Sequence, residues 1–293
     1  MNAAPASPLR NVDTLLGMAT TLWPVMHRLS SLLSQREELE NAKRTNQTSK
    51  EAVLRSEYDE TSHAIEVALT QWQPCLPPRV VLTGGSIDGE QLVSLALATP
   101  AETKAETSNG SDAAGGSGGG QGSPSQQDLP GLQSILHNAM AYRHSAFVYL
   151  YRTIYEYQPE HKLVQEHAHK ALRHCVETVS HKGPMGALLW PLFVAACEAR
   201  SDEDQALARK AFAEIEMRQG MTNIEQAWRV VAEVWARSSG KSSAGMPNDR
   251  AASTQGAVAC GIDAGASLND SYLDAGQLWR KISAEMGVNI VFG

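Results

Sequence analysis

The amino-acid sequence predicts an all-α protein, a multi-helix antiparallel helical domain carrying two disordered insertions. Three observations predict it. Apolar residues recur at steps of three and four through residues 142–235, the period of one helix face. Pro, Gly and capping residues punctuate that stretch at short intervals, as in antiparallel helix pairs. Two long stretches of small and polar residues bury too little apolar surface to offset their chain entropy.

Residues 1–98 form the first helical region. Val12 to Asn41 and Glu51 to Trp72 both carry helical patterning, separated by a polar loop at Thr45-Asn46. The Cys75-Leu-Pro77-Pro78 run ends the second helix, because proline has no amide hydrogen to continue the ladder. Gln91 to Ala98 is assigned to one further short helix. Residues 99–127 are Ala, Glu, Thr, Ser and Gly, including Ala114-Gly-Gly-Ser-Gly-Gly-Gly120, and are predicted to be disordered.

Residues 128–237 are the central helical block. Tyr142, Ala146, Tyr149, Leu150, Thr153, Ile154 and Tyr157 form one stripe, broken at Pro159. Val164, Ala168, Ala171, Leu172, Cys175, Val176 and Val179 form the next, stopped at Lys182-Gly183-Pro184. A third helix spans Trp190, with Pro191 in its first turns or kinking it. Ser201-Asp-Glu-Asp204 has the form of a capping box, opening a fourth helix that turns Leu207, Ala211, Phe212 and Ile215 inward and closes at Gly220. Thr222-Asn-Ile-Glu225 is expected to cap a fifth, whose apolar face holds Ile224, Ala227, Trp228, Val231, Val234 and Trp235. Residues 238–271 are a second predicted linker. Residues 272–293 hold a helix from Ala275 to Met286 and the apolar end Val288-Asn-Ile-Val-Phe292, expected to dock on the core. The expected structural core is Trp190, Phe193, Phe212, Trp228, Trp235 and Trp279.

Composition narrows function. The net charge is −7, and no basic run is longer than a pair such as Lys43-Arg44, so direct DNA binding by this chain is not expected. The four cysteines, Cys75, Cys175, Cys197 and Cys260, are scattered without any C-x-x-C, which argues against a local zinc site and a disulfide framework. No signal peptide or apolar run of about 18–20 residues is present, so no membrane association is expected.

Several patterns mimic chemistry. Five histidines fall between His161 and His181, and His167, His174 and His181 share roughly one helix face. A spacing of seven residues is about 10.5 Å of helix rise. One zinc ion with bonds of about 2 Å cannot bridge that, so no metal ligand is assigned. Gly115-Gly-Ser117-Gly-Gly119 has the letters of a nucleophile elbow but lies in the glycine linker, without its strand and helix. Thr83-Gly-Gly-Ser86 lacks the lysine of a phosphate loop. Asp202-Glu203-Asp204 is the acidic first turn of a helix. No catalytic residue and no cofactor-binding residue is assigned, and the chain is expected not to be an enzyme.

A set of landmarks in fixed order runs from Tyr142-Arg143-His144 and Tyr151-Arg152 through Leu189-Trp190-Pro191-Leu192-Phe193, Cys197-Glu198-Ala199 and Arg209-Lys-Ala-Phe212. It continues with Asn223-Ile224, Ala227-Trp228, Val234-Trp235, Trp279 and the terminal Val-Phe-Gly. In these the chain resembles the C-terminal regulatory domain of fungal zinc-cluster (Zn2Cys6-type) transcription factors. The resemblance implies a nuclear regulator of RNA polymerase II transcription that works through protein partners, as a homodimer or with other regulators, and through a small ligand. It also implies zinc in an N-terminal six-cysteine cluster that this sequence lacks, so no cofactor is expected here. The periodicities by themselves also fit a cytosolic all-α scaffold or adaptor.

Overall fold

The computed structural model describes residues 17–84, 92–98, 128–181, 187–239 and 278–288. Among these, eight α-helices and one two-stranded hairpin occur: α1 (Trp23–Arg44), α2 (Thr48–Gln71), β1 (Val80–Thr83), β2 (Ser94–Leu97), α3 (Leu129–Tyr149), α4 (Lys162–Ser180), α5 (Leu189–Cys197), α6 (Asp202–Gln219), α7 (Thr222–Ser238) and α8 (Leu278–Glu285). The protein is all-α in class. The linker 99–127, all but the first two residues of 238–271, and the end from residue 289 onward lie outside the described residues.

Helix α1 starts at Trp23, later than the Val12 expected from periodicity; residues 12–16 lie outside the described residues. Pro24 stands in its first turn, the one place where a missing amide hydrogen costs nothing. A 3-10 turn, Thr20–Leu22, leads into it. The α1–α2 connection is the expected Thr45-Asn46 turn. Asn46 takes a left-handed backbone (φ 52°), and Gln47 N–H reaches back to Ala42 O at 3.0 Å. Asparagine tolerates this conformation better than most residues.

Gln91–Ala98 is a correction. Its described part is not helical; Ser94–Leu97 pairs antiparallel with Val80–Thr83, with Val80 opposite Leu97 and Thr83 opposite Ser94. The β-branched Val80-Val81 supplies one strand, and the other is secured from outside the hairpin. The buried Gln133 side chain on α3 accepts from Leu95 N–H (2.8 Å) and donates to the Val93 carbonyl (2.9 Å), acting like an adjacent strand. That partner is more than 30 residues away in sequence, so local pattern could not report it.

Helix α3 is the shared wall of two apolar clusters. One joins α1, α2 and the hairpin to α3 through Leu29, Leu32, Ile65, Leu69, Leu136 and Met140. The other gathers α4 to α8 around Leu172, Leu192, Phe193, Phe212, Ile215 and Val231. Arg143 is almost fully buried at this wall. Its guanidinium donates to Leu69 O (2.7 Å) and Thr70 O (3.0 Å), so the cation closes the carbonyl end of α2. The end of α3 widens into a π-turn, Leu150–Ile154, closed by Tyr155 N–H to Leu150 O at 3.0 Å. Arg36 of α1 donates to Thr153 O there at 2.9 Å.

The later helices follow their sequence signals closely. Ser201 Oγ accepts from Asp204 N–H at 3.0 Å, the expected cap of α6. Gly220 closes α6 with φ 57°, and its N–H bonds Glu216 O at 2.8 Å. Pro191 falls in the first turn of α5. Thr222 is a correction: it is the first residue of α7, and Met221 precedes it without a side-chain cap. Val288, the last described residue, packs against the α4–α8 cluster.

Candidate functional site

An open aromatic concavity lies between α1, α3 and α5. Trp23, Met26 and His27 line it from α1, Tyr142 and Tyr149 from α3, and Trp190 from α5, around a volume of about 320 Å³. Each helix delivers its residues for a local reason. Tyr142 and Tyr149 are two turns apart on one face of α3. Trp190 stands in the first turn of α5, partly buried, and Trp23 opens α1, where it is 53% exposed.

The ring geometry makes a stacking wall. Tyr142 and Trp190 lie nearly parallel, with centroids 5.4 Å apart at 21°, and Tyr149 meets Trp190 at 6.5 Å. Tyr142 is anchored by donating its hydroxyl to Ala187 O at 2.7 Å, and burial pushes its hydroxyl pKa up to about 12. Tyr149 Oη accepts from Arg280 of α8 at 2.9 Å. Both phenols therefore stay neutral and oriented. The wall offers flat apolar area, which suits a small planar apolar ligand, and His27 and Ser30 of α1 add polar groups to the lining.

A second feature runs through the interior between α3 and α4. His137 and His144 of α3 face His167 and His174 of α4 and His181 at its C-cap, each set repeating every seven residues across an antiparallel pair. His137 Nδ1 meets His174 Nδ1 at 2.8 Å, and His144 Nδ1 meets His167 Nδ1 at 2.9 Å. The His144 and His174 rings stack at 5.6 Å. Imidazolium ions cannot crowd in this way. Burial pushes the His137 pKa down to about 4 and those of His144 and His174 well below the usual value. Gln133 donates to His137 Nε2 at 2.8 Å. That leaves Nδ1 of His137 as the proton carrier and His174 Nδ1 as its acceptor.

The chain matches the family described as "Fungal specific transcription factor domain" over residues 5–293. It belongs to that family. No curated protein and no solved structure matches it. Membership supports a role in transcriptional regulation.

Several of the landmarks that suggested this family are structural joints among the described residues. Arg143 closes α2, while Tyr142 and Trp190 build the cleft. Arg152 Nε pairs with Glu198 at 2.9 Å in the interior, joining the π-turn to the end of α5. Burial raises the Glu198 pKa, and Arg152 opposes that rise. Trp235 donates its indole N–H to Ala196 O at 2.8 Å.

The six residues expected to form the structural core divide. Phe193, Phe212 and Trp235 are buried. Trp190, Trp228 and Trp279 are partly buried and pack against the cluster from its margin. Trp279 stands edge-on to Phe193 at 5.3 Å, and Trp228 edge-on to Trp235 at 5.5 Å. Sequence reasoning missed Trp23, Gln133, His137 and His144. The last two had a usable signal in their seven-residue spacing, which matches that of His167, His174 and His181.

Proposed function

We propose that this chain is the regulatory, non-catalytic part of a nuclear RNA polymerase II transcription factor. It acts through protein contacts, and a small planar apolar ligand in the Trp23–Tyr142–Trp190 cleft tunes those contacts. Family membership across residues 5–293 carries the reading. The aromatic cleft supports the ligand, because stacked rings with neutral phenols recognise flat apolar molecules. Zinc and DNA recognition are the work of a separate cysteine cluster of the kind such factors carry. Fusing the chain to an unrelated DNA-binding domain upstream of a reporter tests the reading. Reporter output that departs from that of the DNA-binding domain alone, and that changes with Trp190→Ala, is expected. Output equal to the DNA-binding domain alone refutes it and leaves the scaffold alternative.

A further inference from the structure

Histidines seven residues apart along one helix stand too far from each other to share a metal ion. The fold supplies the ligand from another. Helix α3 sets His137 against the last turn of α4, so that one ligating atom from each of His137, Glu177 and His181 lies within 4.8 Å of the others. We propose that these three side chains form a binding site for one Zn²⁺ ion, with water completing the coordination.

Four observations support the site. First, two imidazoles and a carboxylate are a borderline-soft donor set suited to zinc. Second, the hydrogen bonds already hold both imidazoles in a ligating form. His181 Nδ1 donates to the Glu177 carbonyl oxygen at 2.8 Å, which leaves the lone pair on Nε2. His137 carries its lone pair on Nε2, occupied by the Gln133 amide until a metal takes it, while its Nδ1–H stays on His174.

Third, the required adjustment is small. Tetrahedral ligands at about 2.0–2.1 Å from zinc stand about 3.3 Å apart. Closing the nearest ligating atoms from 4.8 Å needs a shift of about 1.5 Å at most. The His181 nitrogen 3.7 Å from Glu177 Oε2 is Nδ1, so the His181 ring must also turn to offer Nε2. The Glu177 and His181 side chains are 34% and 31% exposed and can rotate, while His137 is fixed by its partners. Fourth, the cluster opens onto a cleft bounded by Leu92, Ser94 and Leu129, which gives the ion an entry path and the fourth ligand its space. An ion there would tie the end of α4 to α3 beside the strand edge that Gln133 holds, independently of any zinc cluster used for DNA binding.

The test is calorimetric titration of ZnCl2 into the tag-free full chain, stripped with EDTA, at neutral pH. One equivalent is expected to bind with micromolar or better affinity. His181→Ala and Glu177→Gln should each weaken it at least tenfold. His63→Ala on exposed α2 and Cys75→Ser should leave it unchanged. Both site variants lie at partly exposed positions, and circular dichroism checks that they fold. If one did not, a shift of the His137 ring resonances on adding zinc to the unaltered chain is the second measurement. No uptake by the unaltered chain overturns the proposal. So does undiminished affinity in His181→Ala, or a His137 spectrum indifferent to zinc.

Discussion

Acidification tests the histidine seam directly. A histidine whose folded pKa lies below its unfolded value leaves the unfolded chain holding more protons between the two values. Stability from such a group is complete above the unfolded pKa and drains away as pH falls toward the folded one. For His137 these limits are 6.5 and about 4. Going from about pH 8 to about pH 5 therefore costs about 2 kcal/mol from this group alone. His144 and His174 are pushed down in the same direction by burial and by each other. Both add to the loss of stability in acid. Arg143 and Lys170 add positive charge on the same side of the balance. His169 works the other way. Its bond to Asp204 at 2.6 Å raises its pKa, so its contribution is present in acid and lost as pH rises through the raised value. Most carboxylates titrate below about pH 5 and contribute little in this window. Urea unfolding followed by circular dichroism, with EDTA present, should show stability falling across the window, with about 2 kcal/mol of loss from His137 offset in part by His169 and the buried Glu198. A flat or rising profile would refute a buried, neutral seam.

Other outcomes follow from single joints. Phe193→Ala removes a fully buried ring and should cost about 3–5 kcal/mol, whereas half-buried Trp228→Ala should cost about 2 kcal/mol; equal losses in thermal melts would contradict their placement. Arg152→Met strands the Glu198 carboxylate in the interior and should destabilise by about 3–5 kcal/mol, with Arg152→Met/Glu198→Leu recovering much of it in urea titrations. Gly220→Ala places a Cβ on a left-handed residue in open space and should cost about 1–2 kcal/mol, read as a lower melting temperature.

Local chemistry is what the sequence alone could determine. The helices of residues 142–235, the Ser201 cap and the Gly220 stop depend on residues within a turn or two of each other, and the structure places them accordingly. The family landmarks were equally visible as letters in order, but their work was not. Arg143 on α2, Arg152 on Glu198 and Trp235 on Ala196 each join groups at least 39 residues apart. The same limit explains both the error and the omission. Residues 94–97 became a strand because Gln133 offers them an edge, and His137 met His181 because α3 and α4 run antiparallel. Periodicity records which face of a helix is apolar. Which other face comes to meet it is settled only when the chain closes on itself, and there the histidines of two helices become one seam.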